Sequence, residues 1–220
     1  MSQADRRQQI IAQREAERLA AARAARERWA QRQRDKQDRP SPPVLVVPAN
    51  TRRVTVLPPH RRAAFRAHLR SILDEATQRG VFNRVAPAVT TTVDVSEPPA
   101  QFAAACSACR GHCCSGGGDH AYLDLDNIHR YAARSGGSKQ GVLRAFMRRL
   151  PESSYHGSCV FHASTGCALP REMRSAVCNA FYCQALEQHR ARAKSGEAAP
   201  TLIGAADGLR LIRLVTTESG

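Results

Sequence analysis

All eight cysteines of this 220-residue chain fall between Cys106 and Cys183. That crowding constrains the fold more than any other feature, because dense thiols must be oxidised, ligated or buried. The chain opens Met1-Ser2-Gln3-Ala4-Asp5-Arg6-Arg7 with no apolar stretch behind it, so no secretory leader is expected and the setting is read as cytoplasmic. No run of 18 apolar residues occurs, so no membrane span is expected. Reducing compartments keep thiols reduced, which favours metal ligation over a disulfide framework.

The cysteines form two groups. The first is Cys106-Ser-Ala-Cys109-Arg-Gly-His-Cys113-Cys114, followed by Ser115 and three glycines. The second comprises Cys159, Cys167, Cys178 and Cys183. Two residues between Cys106 and Cys109 let both sulfurs reach one ion through a tight turn. Adjacent residues point in different directions, so Cys113 and Cys114 are expected to serve two centres or two corners of one cluster. Eight thiolates suit two four-cysteine zinc sites or an iron–sulfur cluster with ligands to spare. Spacing leaves zinc and iron open. Arg110, Arg171 and Arg174 are placed to offset thiolate charge. His112, His120, His156 and His162 read as outer-shell donors rather than ligands, with His112, inside the first loop, the best candidate among them.

The spacing of Cys106, Cys109, Cys113 and Cys114 resembles the opening signature of the YkgJ-type CxxCxxxCC family, described as zinc- or iron-chelating bacterial proteins. Cys159-Val160-Phe161, Gly166-Cys167, Arg174, Cys178 and Phe181-Tyr182-Cys183 follow in the family's order. The likeness covers roughly residues 102–185. Ser175, Pro170 and Asn179 stand where the family commonly carries Pro, Tyr and Arg, and every thiolate is retained. The resemblance implies a metal-chelating domain with all eight cysteines as ligands.

Around the cluster, the chain reads as mainly α with irregular metal-binding loops. Residues 1–39 lack Gly and are built from Ala, Arg, Gln and Glu, which suggests a charged helix or arm. Prolines make 40–60 a linker, with edge strands at Val44–Val47 and Val54–Leu57 as the alternative. Within 61–100, Phe65, Leu69, Ile72, Leu73 and Ala76 define one helical stripe ended by Gly80, and the rest reads as extended. The cysteine domain is placed at 101–190. Asp126 or Asn127 and then Ser138 are expected to cap two helices between the cysteine groups. Residues 191–220 form a tail with a terminal strand near Leu209–Val215.

Net charge is +14, with 33 basic residues of which only Lys36, Lys139 and Lys194 are lysine. The charge is dispersed, which permits an acidic partner or nucleic acid at the Arg-rich arm without specifying either. Gly116-Gly117-Gly118 lacks the Lys and Ser/Thr of a phosphate loop, Asp124 and Asp126 read as caps, and no nucleophilic triad is visible. A structural or chelating metal protein is therefore the leading expectation. An iron–sulfur redox or catalytic protein and a nucleic-acid-associated module are the alternatives.

Overall fold

The computed structural model describes residues 3–32, 42–82, 100–195 and 202–217. In chain order the elements are α1 (Gln3–Arg32), β1 (Val44–Pro48), β2 (Val54–Val56), α2 (Pro59–Gln78), α3 (Ala100–Cys109), a 3-10 turn (His112–Gly117), α4 (Leu125–Ser135), α5 (Lys139–Arg148), β3 (Ser153–Tyr155), β4 (His162–Ala163), β5 (Gly166–Cys167), a second 3-10 turn (Arg171–Met173), α6 (Ala176–Ala180), α7 (Gln184–Lys194), β6 (Leu202–Asp207) and β7 (Arg210–Thr216). The protein is mainly helical with small sheets, as the sequence suggests. Among the described residues no helix is long and apolar enough to cross a membrane.

The elements divide into two compact units. The first draws on the described parts of Met1–Thr51, Pro98–His112 and Tyr182–Gly220, the second on those of Arg52–Glu97 and Cys113–Phe181.

The first unit is built on a three-stranded sheet of order β1-β6-β7, with β1 parallel to β6 and β7 antiparallel to it. Alternation along a strand sends successive side chains to opposite faces. Leu45 and Val47 of β1 accordingly join Ile203 and Ala205 in one cluster with Phe102, Ala105 and Ala108 of α3 and Leu186 of α7. Val46 and Ala206 join Ala21 of α1 in another. Of the two readings of this stretch, the alternative, an edge strand, holds at Val44–Pro48, and its middle is buried rather than a linker. Its prolines, Pro43 and Pro48, sit before and at the end of an edge strand, where a missing N–H is tolerated. The arm differs from expectation as well. Every described side chain from 3 to 16 is exposed, but Ala21 and Ala25 are fully buried. Alanines allow close approach of helix to sheet, so docking needs no large apolar stripe. Residues 33–39 of the expected arm lie outside the described residues.

In the second unit, the stripe read from sequence on α2 is the buried face: Phe65, Leu69, Ile72, Leu73 and Ala76 all lie in the core. Ile128 and Ala132 of α4, Val142 and Phe146 of α5, and Val160 and Phe161 complete that core. Phe65 meets Phe161 edge to face at 4.9 Å, and Tyr131 meets Phe146 at 5.3 Å. The cap of α4 is Asp124 rather than the expected Asp126 or Asn127. Its carboxylate accepts the Asn127 N–H at 2.9 Å, while the Asn127 side chain accepts the Asp124 N–H at 3.0 Å. Ser138 caps α5 as expected. β2 pairs with β3 and β4 with β5, both antiparallel. The extended reading of residues 83–99 lies outside the described residues.

Because α2 supplies much of this core, the Phe65→Ala variant is expected to lose about 3–5 kcal/mol in denaturant unfolding, the range for deleting a buried aromatic. A loss below about 1 kcal/mol would show that α2 is peripheral to the cysteine-bearing fold.

Candidate metal centre

The two units share out the cysteines. Cys106 and Cys109 lie on α3 and Cys183 sits at the N-terminal boundary of α7, all in the first unit. Cys113 and Cys114 lie on the first 3-10 turn, Cys159 before β4, Cys167 on β5 and Cys178 on α6, all in the second. None of the eight forms a disulfide.

In the second unit, backbone and glycine contacts bring the cysteine-bearing segments together. The Cys159 N–H donates to the Cys114 carbonyl at 3.0 Å, and the Val160 N–H to the Gly118 carbonyl at 3.0 Å. A Cβ on Gly117 would stand 2.8 Å from Cys159 Cβ and 3.1 Å from its Sγ, so only glycine allows this approach. The β4–β5 hairpin sets Cys167 opposite His162. Ser175 accepts the Cys178 N–H at 3.0 Å, which fixes the first turn of α6.

Electrostatics report the same neighbourhood. A hydrogen bond with Cys114 lowers Cys113 from 9.0 to about 7. The same bond, then burial, then the charges of Cys113, Cys167 and Cys159 hold Cys114 protonated. Burial, together with Cys167 and Cys178, pushes Cys159 from 9.0 up to about 12, and the charge of Arg61 opposes that rise. Cys178 is raised chiefly by burial, with repulsion from Cys167 and Cys113, while the charge of Arg174 acts the other way. Cys114, Cys159 and Cys178 are thus each held toward the neutral thiol by burial and by neighbouring sulfurs.

Sulfur donors suit zinc, iron or an iron–sulfur cluster. Among the described residues, however, no three His, Cys, Asp or Glu side chains already converge at ligand geometry.

Arg61, which the sequence did not single out, braces this region. It pairs with Asp119 at 2.6 Å and donates to the Ser158 carbonyl at 2.6 Å. His162, weighed as an outer-shell group, is buried, with Nδ1 2.7 Å from the Ser158 hydroxyl and its ring on Tyr155 at 4.5 Å. His156 and His120 are exposed. Ala121 and Tyr122 both adopt left-handed backbone, at φ of 51° and 54°, which is unusual for non-glycine residues. The bend packs the Tyr122 hydroxyl against Gly116, where a Cβ would overlap it. The His120 ring lies 5.2 Å from that of Tyr122.

In the first unit, Cys109 Sγ accepts the His112 N–H at 3.3 Å. The end of α3 is held by Asn50, whose N–H donates to the Cys109 carbonyl at 2.8 Å and whose side chain donates to the Arg110 carbonyl at 3.0 Å. Arg213 of β7 donates to the Ala108, Asn50 and Cys109 carbonyls at 2.6, 3.1 and 3.2 Å. Neither Asn50 nor Arg213 carries a motif by which sequence could have found it.

No protein family, curated protein or solved structure matches the chain.

In reduced, metal-free protein at pH 7.5, brief alkylation is expected to modify exposed Cys113 before Cys114 and Cys159, resolved by peptide mass spectrometry. Cys159 reacting before Cys113 would contradict this ordering. The neutral Cys159 thiol contributes stability fully below its ordinary value of 9.0, and that contribution is lost as pH rises through about 12.

Proposed function

We propose that this is a thiolate-cluster metal-binding protein, holding zinc or iron, including iron as an iron–sulfur cluster, with a structural or chelating role. The observation that carries the reading is the gathering of Cys113, Cys114, Cys159, Cys167 and Cys178, from four separate segments, into mutual electrostatic range within one unit. Thiols so placed gain most from a shared cation, which favours their charged forms. Cys106, Cys109 and Cys183, in the other unit, are further candidate donors by sequence alone. The likeness of the CxxCxxxCC spacing to a chelating family points the same way. The metal supplies cross-linking of loop segments through bonds to sulfur. The chain's own part is to bring the sulfurs together and brace them, through Gly117 at Cys159, Ser175 at Cys178, and Arg61 with Asp119 beside Ser158.

Protein purified without oxygen is expected to contain zinc or iron by elemental analysis, with most of its eight cysteines unreactive to a thiol reagent until the metal is chelated. Eight promptly titrating thiols and no metal in that preparation would overturn the proposal.

A further inference from the structure

A cavity of about 390 Å³ in the second unit is lined by Tyr131 of α4, Ala145 and Arg148 of α5, Arg149 just past that helix, and Met173 of the second 3-10 turn. No cysteine lines it, so it stands apart from the metal-binding reading. Clefts that hold small molecules measure about 300–1,000 Å³ and pair apolar walls with a few placed polar groups. Here Ala145 and Met173 supply the apolar wall, and one phenol and two guanidiniums supply the polar groups.

Core packing fixes these walls. Tyr131 follows Ile128 by three residues and precedes Ala132, so it borders the buried stripe of α4. Its ring meets that of Phe146 edge to face at 5.3 Å, and Phe146 is fully buried. The next turn of α5 brings Arg148 and Arg149, and the Arg149 N–H donates to the Phe146 carbonyl at 3.1 Å. Pro151 prevents the helix from continuing, which leaves both arginines at its end. Met173 is buried in the same core.

The charge of the cavity is unbalanced. Among the described residues neither Arg148 nor Arg149 makes an ion pair. Arg171 opens the 3-10 turn that ends at Met173, and its buried Nε has no hydrogen-bond partner there. From Leu125 to Arg174, basic residues outnumber the acidic ones, Asp126, Glu152 and Glu172. A concave surface of one sign concentrates ligands of the other. Guanidinium forks match phosphate oxygens. A phosphate monoester carries about two negative charges near pH 8 and so balances two arginines, whereas a monocarboxylate balances one. The C-terminal end of α5 opposes an anion, but that field fades within the last turn and charge-assisted bonds outweigh it. The volume exceeds what one phosphoryl group fills, and a thioether beside a tyrosine ring favours an aromatic body in the remainder.

We propose that this cavity binds a small aromatic phosphate monoester, with its phosphoryl group held by Arg148 and Arg149 and its ring against Tyr131, Ala145 and Met173. The site is independent of the cysteines, and its occupancy does not require bound metal.

The probe is phenyl phosphate, titrated by calorimetry into the full-length protein near pH 8 in phosphate-free buffer, with inorganic phosphate and benzoate in parallel. Phenyl phosphate should bind about tenfold or more tightly than either, since each comparison ligand lacks one half of the recognition. Arg148→Gln and Arg149→Gln should each weaken it about tenfold or more, the effect of losing one charged hydrogen-bond partner. Both side chains are exposed, so the unfolding temperature of these variants should not change. Arg66 and Arg70 are exposed on α2 and do not line the cavity. The double variant Arg66→Gln with Arg70→Gln removes charge elsewhere in the unit and should leave affinity within about twofold, because exposed charges are screened by salt. Four results would each overturn the proposal: no binding of phenyl phosphate, equal binding of benzoate, equal binding of inorganic phosphate, or a loss in the α2 double variant as large as in the Arg148 and Arg149 variants.

Discussion

Thiols brought close together disfavour each other's charged forms, and one unit of this protein holds five cysteines, Cys113, Cys114, Cys159, Cys167 and Cys178. Cys114, Cys159 and Cys178 are each pushed toward the protonated form by burial and by neighbouring sulfurs, while Cys113 is lowered by its bond to Cys114. That balance is what the surrounding structure is built to manage. Gly117 removes the side chain that would keep Cys159 away. Arg61 places positive charge where it eases the ionisation of Cys159, and Arg174 does the same for Cys178. The proposed cation would stabilise several thiolates at once, and so would answer the same electrostatic problem as the packing of the unit.

The first unit solves a different problem, that of fixing the turn that follows α3. The carbonyls at the end of a helix lack intrahelical partners and need others. Here Asn50 and Arg213 take the carbonyls of Ala108, Cys109 and Arg110, and Ala49 takes the ring proton of His112. These groups come from the end of β1 and from β7, so the sheet itself positions the turn. Arg110 and Gly111 adopt left-handed backbone at φ of 56° and 68°, letting the chain reverse direction so that the His112 N–H meets Cys109 Sγ.

Local signals read well from the sequence. The α2 stripe is the buried face, Gly136 ends α4 in left-handed conformation at φ 59°, Ser138 caps α5, and the terminal strand forms over Arg210–Thr216. What escaped were features set by distant parts of the chain. β1 reads as a linker because its partner β6 begins at Leu202, and parallel pairing leaves no hairpin signal between them. The docking of α1 escaped because Ala21 and Ala25 look like helix filler until a sheet lies against them. The cysteine pattern named the candidate donors and their chemistry. It gave no hint of the three-to-five division between units, since the Cys106–Cys114 motif is one continuous run that the fold parts between His112 and Cys113.

The central claim is that bound metal relieves the repulsion among these thiols and so stabilises the fold. Thermal unfolding of anaerobically purified protein, followed by circular dichroism before and after chelation verified by elemental analysis, tests it most directly. Because a ligand bound only by the folded state stabilises it by mass action, the chelated protein should unfold at a clearly lower temperature, and the shift should reverse when zinc or ferrous iron is restored. Superimposable melting curves for the metal-loaded and metal-free protein would contradict the account.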